Sequence, residues 1–198
     1  MLPNWDEDSP RLRANLSAVL HEIDRAAKAR EMPSCETARH WQEVFLRGLY
    51  VPDQRFVGSF RGEPGLENIA VRVVGQYGVE PRTVADELKR FESKLQASIG
   101  QLDGLVPVNQ EPDADQLSAI LDVCAWAHAE WIRIHPFANG NGRTARLWAN
   151  SLALRYGLPP FIRLRPRPND GYGDAGAKAM LGDWKPTAIV FRRLLMSF

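Results

Sequence analysis

Apolar residues recur at helical spacing along most of this chain. Ser9-Pro10 reads as a capping serine followed by a proline at the first helical position. Leu12, Leu16, Val19, Leu20 and Ile23 then fall three or four apart and predict a helix to about residue 30. A shorter helix is expected from Thr37, carrying Trp41, Val44, Phe45 and Leu49. Residues 51–68 are rich in proline and glycine and read as loop. Ile69, Val71 and Val73 alternate with other residues, the pattern of a short strand or hairpin ending near Gly75-Gln76. Thr83 is the expected cap of a helix with Val84, Leu88, Phe91, Leu95 and Ile99 on one face, followed by a loop from about 100 to 114. From Asp115 the chain is apolar on several sides, through Leu117, Ile120, Leu121, Cys124 and Trp131, which predicts a central buried helix. A further helix runs to Tyr156 and stops at Gly157-Leu158-Pro159-Pro160. Residues 158–171 read as extended or loop, and one or two short helices finish the chain. The fold class this implies is all-α, with one small β-hairpin.

Composition adds bounds. A chain of 198 residues fits one domain with a substantial core. Hydrophobic content of 44% with 25% charged residues is that of a soluble globular protein. The net charge of +1 gives no overall pull toward nucleic acid or membrane. No apolar run reaches the ~18 residues of a membrane helix. The opening Met1-Leu2-Pro3-Asn4-Trp5-Asp6-Glu7-Asp8 is acidic and lacks the apolar core of a secretory signal. Cys35 and Cys124 show no metal-ligand spacing and fit a reduced compartment; Cys124, on an apolar helix, is expected to be packing. A cytoplasmic location follows, with delivery as an effector the alternative.

Charge is unevenly placed. Between Glu130 and Pro168 stand seven arginines (133, 143, 146, 155, 163, 165 and 167), one acidic residue and no lysine. Such a local positive field favours a polyphosphate or an acidic partner. The alternate spacing of Arg163, Arg165 and Arg167 puts all three on one side of an extended segment, where they either face a ligand or form a solvated arm. No nucleic-acid reading module is recognisable, so direct nucleic-acid binding is not expected.

The most informative stretch is residues 135–146, His-Pro-Phe-Ala-Asn-Gly-Asn-Gly-Arg-Thr-Ala-Arg, between two helical segments. A loop entering a helix through Gly140-Asn141-Gly142 exposes backbone N–H groups, and the first amides of that helix add partial positive charge. Arg143 and Arg146 share the first turn, and each suits a charge-assisted fork on phosphate oxygens. The Asn141 amide suits donation to a phosphoryl oxygen as charge builds there. His135 titrates near neutrality and suits proton abstraction from a hydroxyl. Phe137 is expected to turn inward and anchor the loop. Taken singly, each residue has a plain structural reading: a core histidine, a turn glycine, a solvated arginine. Their joint spacing within twelve positions is what points to phosphate chemistry beside a base.

This stretch resembles the signature of the Fic family, His-x-Phe-x-(Asp/Glu)-Gly-Asn-Gly-Arg-x-x-Arg, at His135, Phe137, Gly140, Asn141, Gly142, Arg143 and Arg146. A weaker resemblance runs from about residue 37 to the C-terminus, including Tyr172, Ala179, Gly182-Asp183 and Pro186. The resemblance implies a Fic-type helical bundle over 37–198, with 1–36 a helical segment packed on it. It implies transfer of AMP from ATP to a Ser, Thr or Tyr hydroxyl of a target protein. His135 would be the base, with Asn141 and the glycine amides as anion hole. Arg143 and Arg146 would hold the outer phosphates, and Tyr172 would line the nucleobase pocket. A β-hairpin flap around Ile69–Val73 would hold the target by strand addition. At one position the chain departs: Asn139 stands where the family has the Asp or Glu that holds magnesium. An amide oxygen ligates magnesium without charge. Three readings stay open: an adenylyltransferase with weaker metal binding, an enzyme using another phosphate-linked donor, or a non-catalytic nucleotide- or partner-binding protein.

Many members carry an inhibitory helix, Ser/Thr-x-x-x-Glu-Gly/Asn, whose glutamate pairs with the second motif arginine. Thr83…Glu87 is followed by Leu88 and Ser59…Glu63 by Pro64, so neither fits. One expectation is that a small antitoxin supplies the glutamate in trans, making this chain the toxin half of a pair; the alternatives are that weak metal binding through Asn139 already limits activity, or that the chain is an exported effector.

Overall fold

The structure, a computed structural model, describes residues 9–73, 75–169 and 171–198. The opening segment Met1–Asp8, on which the reading of the N-terminus rests, lies outside the described residues.

Local sequence sets the helix starts. In α1 (Pro10–Lys28) the Ser9 hydroxyl accepts from the Leu12 amide at 3.1 Å, and Leu12, Leu16, Val19 and Ile23 are buried. The second helix, α2 (Cys35–Leu46), begins before the expected Thr37 because Ser34 is its cap. Thr37 sits at the third helical position and its hydroxyl accepts from the Ser34 amide, closing a reciprocal box.

The hairpin starts later than Ile69. Strands β1 (Arg72–Val73) and β2 (Gln76–Tyr77) pair Arg72 with Tyr77 and Val73 with Gln76. The Ile69 carbonyl accepts from the Arg61 guanidinium and its amide donates to Leu66, so its backbone is already occupied.

Around α3 (Val84–Leu105) the start falls where expected and the end does not. Thr83 holds the cap position as expected but makes no side-chain capping bond: its hydroxyl donates back to the Glu80 carbonyl at 2.9 Å, and a 3-10 turn over Pro81–Thr83 leads into the helix. Nor does the helix stop near residue 100. It passes through Gly100 and Gly104 because Leu102 extends the buried stripe by a turn and Val106 closes the end. Buried apolar area outweighs the roughly 1 kcal/mol per glycine that helix propensity opposes.

The central helix α4 (Ala114–Ile134) is capped by an Asp113–Gln116 box and packs against α3, α5 (Asn141–Arg155), α6 (Tyr172–Ala179) and α7 (Lys185–Met196). Ile120, Cys124, Ala127, Trp131 and Ile134 have no exposed surface. The first helix, α1, packs on α2 and α5. Trp131, Trp148, Phe91, Phe60 and Phe137 form one aromatic cluster, with Phe60 and Phe137 centred 4.8 Å apart. Phe137 is inward as expected, so the 135–146 loop is anchored in the core. Burial raises both cysteine thiols above their ordinary range, which fits packing roles. No described helix is long and apolar enough to cross a membrane.

Candidate active site

The loop joining α4 to α5 begins at His135, which ends α4 in the left-handed region at φ 54° and ψ 55°. That conformation costs a non-glycine residue about 1 kcal/mol or more, and surrounding contacts fix it. The His135 amide bonds the Trp131 carbonyl at 2.9 Å, and the His135 carbonyl accepts from Arg61 Nε at 2.7 Å. Its Nδ1 lies 2.9 Å from the Ile132 carbonyl. A carbonyl only accepts, so Nδ1 carries the proton and Nε2 presents a lone pair. Burial lowers the pKa of His135 below its ordinary 6.5, and the Arg61 charge adds to this, against the Ile132 bond. The imidazole is therefore neutral and basic at physiological pH.

Asn141 closes the loop. Its Oδ1 accepts from the Phe137 amide at 2.9 Å and its Nδ2 donates to the Phe137 carbonyl at 2.8 Å. Gly140 must be glycine: φ is +95°, and a Cβ there would meet Phe45 Cζ at 2.7 Å. The Arg143 guanidinium stacks over the Phe45 ring, 4.7 Å from its centre, and donates to Asn139 Oδ1 at 3.0 Å. Arg146 donates to the Leu164 carbonyl at 3.1 Å and to the Tyr172 hydroxyl at 3.4 Å.

These groups share one cavity of about 320 Å³. His135, Asn139, Gly140, Asn141, Gly142, Arg143, Arg146 and Tyr172 all line it, so every predicted site residue reaches one place. Val71 and Val73 of the hairpin segment form part of its rim. Arg165 and Arg167 also line it, whereas Arg163 turns away and bonds the Pro166 carbonyl of its own loop at 3.0 Å. The three do not act as one face.

A sequence model of the Fic/DOC family matches residues 54–153. The chain belongs to the Fic/DOC family. Among curated Fic relatives it is similar to the "Protein adenylyltransferase Fic" of Drosophila grimshawi, 38% identical over 122 residues, covering 61% of this chain and 22% of that protein. The counterpart from Aedes aegypti is 44% identical over 62 residues, covering 31% and 12%. The chain thus spans about a fifth or less of these relatives' length. In fold it is similar to a Fic-domain signalling protein from Bacteroides thetaiotaomicron, TM-score 0.66 at 21% identity, covering 94% of this chain and 69% of the other. It is also similar to the BepC effector of Bartonella tribocorum, solved with bound AMPPNP, TM-score 0.61 at 17% identity, covering 94% and 87%. The Fic fold is a helical one with a small hairpin, as the sequence pattern indicates.

Several residues that hold the Fic motif in place escaped the sequence reading. Arg61, in the stretch read as plain loop, donates to Ile69, Val79, Ile134 and His135 carbonyls, tying the base of the hairpin to the head of the motif. Gly78 lies so close that a Cβ there would fall 2.6 Å from His135 Cβ. Gln42 donates to the Phe56 and Asn139 carbonyls and accepts from Gly58. His128 lines the cavity and sits 2.6 Å from the Tyr172 hydroxyl, its pKa pushed down to about 3 by burial and by Arg146. Tyr172 therefore lines the cavity and also links His128 to Arg146. A lone buried histidine or arginine gives no periodic signal, so these were not legible.

The Fic resemblance also implies magnesium at Asn139, and the residues present do not fit it. Among the described residues no carboxylate lines the cavity, and no group of three His, Cys, Asp or Glu is placed to hold a metal. The Asn139 oxygen is uncharged and already accepts from Arg143. Hard divalent cations favour anionic oxygen ligands.

Proposed function

We propose that this chain is a protein adenylyltransferase, moving AMP from ATP to a Ser, Thr or Tyr hydroxyl of a target protein. The observation that carries the proposal is the neutral His135, its Nε2 lone pair available, in a cavity lined by Arg143 and Arg146 at the start of α5. The names of the curated relatives and the AMPPNP held by the Bartonella tribocorum protein support the same chemistry. In the proposed step the target hydroxyl attacks the α-phosphorus in line. The new O–P bond forms as the bond to the β-phosphate oxygen breaks, the hydroxyl proton passes to His135 Nε2, and pyrophosphate leaves. Arg143, Arg146 and the first amides of α5 stabilise the developing charge. The hairpin offers its edge beside Val71 and Val73 for the target backbone to pair as an added strand. A small partner supplying a carboxylate to Arg146 would hold the activity in check; Arg146 Nε is buried without a hydrogen-bond partner among the described residues.

The Asn139 substitution favours a second reading, the same transfer from another nucleotide or phosphate-linked donor. The test is transfer of label from α-labelled ATP into host lysate, comparing the protein with His135→Ala, and repeating with labelled UTP, GTP and CTP. Removal of a general base lowers transfer by roughly 10²–10⁴-fold. Equal labelling by both proteins, or none from any nucleotide, overturns the proposal.

A further inference from the structure

The proposed transfer leaves one buried titratable group of the cavity without a task. His128 of α4 is 2% exposed, lines the cavity, and has its Nε2 2.6 Å from the Tyr172 hydroxyl. We propose that His128 is a positioning residue: its Nε2–H donates to the Tyr172 oxygen and so turns the Tyr172 O–H into the cavity, where that hydroxyl and Arg146 together seat the outer phosphates of the nucleotide.

Proton bookkeeping carries the assignment. Burial, and after it the Arg146 charge, push the His128 pKa down to about 3, so the ring is neutral and holds one proton. Its Nδ1 is buried with no hydrogen-bond partner among the described residues. The Tyr172 oxygen accepts from Arg146 Nη1 at 3.4 Å, since an arginine only donates. Among the described residues the hydroxyl meets no hydrogen-bonding partner besides His128 and Arg146. Two proton arrangements remain. With the proton on Nδ1, Tyr172 donates to Nε2, and an N–H is sealed in the core with nothing to receive it, which is costly. With the proton on Nε2, the ring donates to Tyr172 and the hydrogen left over is the tyrosine's own. That hydrogen belongs to a side chain lining the cavity, where a ligand oxygen can receive it.

Packing fixes the geometry of the pair. The His128 ring lies edge-on to Tyr172 and to Phe191 of α7, with centroids 5.4 and 5.2 Å away. Arg146 Nη2 is tied to the Leu164 carbonyl at 3.1 Å, Nη1 reaches Tyr172, and Nε has no partner among the described residues. A hydroxyl donor beside a guanidinium suits an oxygen that bears charge, because hydrogen bonds to charged groups are the strong ones. Tyr172 thus stands at the phosphate end of the cavity, and it acts through its oxygen as well as its ring. The inference rests on the cavity being the nucleotide site of the proposed transfer, but it is tested by binding rather than by transfer.

The experiment joins nitrogen-15 NMR of the full chain to isothermal titration with ATP, inorganic tripolyphosphate and AMP. In the free protein His128 is expected to carry its hydrogen on Nε2; a hydrogen on Nδ1 overturns the inference. Tyr172→Phe keeps the ring, and is expected to weaken ATP and tripolyphosphate roughly tenfold while AMP changes less than about twofold. His128→Phe is expected to weaken ATP about fivefold, and His128→Gln, whose amide N–H stands in for Nε2–H, to recover most of that loss. In the Tyr172→Phe background, His128→Phe is expected to cost nothing further, because His128 acts through the hydroxyl. Circular dichroism checks that each variant folds; where His128→Phe does not, the NMR and the Tyr172→Phe titrations decide. Unchanged ATP affinity in Tyr172→Phe overturns the inference. So does an equal fall for AMP, additive losses in the double variant, or no binding of ATP or tripolyphosphate by the wild type. The expected binding pattern without label transfer overturns the adenylyltransferase reading and leaves this inference standing.

Discussion

Replacing Arg61 with methionine tests how the site is held. Arg61 is 1% exposed and donates to the carbonyls of Ile69, Val79, Ile134 and His135 at 2.7–3.1 Å. Hydrogen bonds from a charged donor contribute at the low end ~1.5 kcal/mol each, so four contribute roughly 6 kcal/mol. Against this stands the cost of stripping water from the guanidinium. Burial pushes its pKa from 12.5 down to about 10, which at ~1.4 kcal/mol per tenfold is roughly 3 kcal/mol. Methionine occupies similar space and removes the bonds and the guanidinium's desolvation cost together, but leaves four carbonyls without their donor, so the net loss is at least roughly 3 kcal/mol. In a chain of this size that is a fall in Tm of about 6–12 °C. Urea unfolding followed by circular dichroism reads the change directly, as a lower midpoint at unchanged slope. Below the variant's own transition, label transfer is expected to fall further than stability explains, since His135 loses the donor that fixes its left-handed backbone. A midpoint shift worth under about 1 kcal/mol, with transfer intact, refutes the reasoning.

Acid stability gives a second check. His128 and His135 both have folded pKa values below the ordinary 6.5, so the native state favours their neutral forms. Their contribution is complete above pH 6.5 and is lost as pH falls from there toward the folded values, at ~1.4 kcal/mol per pH unit for each histidine. His128→Phe is expected to reduce the proton uptake on unfolding, measured between pH 6.5 and 4, by about one; an unchanged slope contradicts the burial argument. Gly140→Ala combines a left-handed backbone with a Cβ 2.7 Å from Phe45, and is expected to cost about 2–4 kcal/mol in urea unfolding; a loss under about 1 kcal/mol counts against it.

The parts of this molecule that repeat along the sequence were the parts legible in it. The apolar stripes of α1, α3 and α4 report their own burial, because a 3.6-residue period leaves a trace at every turn. Even the misplaced end of α3 carried a signal: Leu102 continues the stripe through two glycines. The residues of the 135–146 loop were readable because one tight turn holds them all. What joins distant segments left no such trace. Arg61 reaches His135 across 74 positions and His128 meets Tyr172 across 44. Thr83 looked like a cap, and the fold bound its hydroxyl to Glu80 instead. Nothing in the spacing of Arg163, Arg165 and Arg167 separates the one that turns away from the two that face the cavity.

The hairpin meets the rest of the molecule through narrow attachments. Its ladder is two residue pairs long, Tyr77 at the end of the ladder away from the turn stands 63% exposed, and Arg61 fastens its base at Ile69 and Val79. The motif loop, by contrast, is built into the aromatic cluster through Phe137. Under the proposed function, recognition and chemistry therefore fall on neighbouring segments with different anchorage. On that proposal, substitutions at Arg72 and Tyr77 are expected to alter the choice of target, while the motif loop beneath them is held in the aromatic cluster. On the same proposal, a graft of positions 72–77 from a second family member is expected to carry that member's target preference with it.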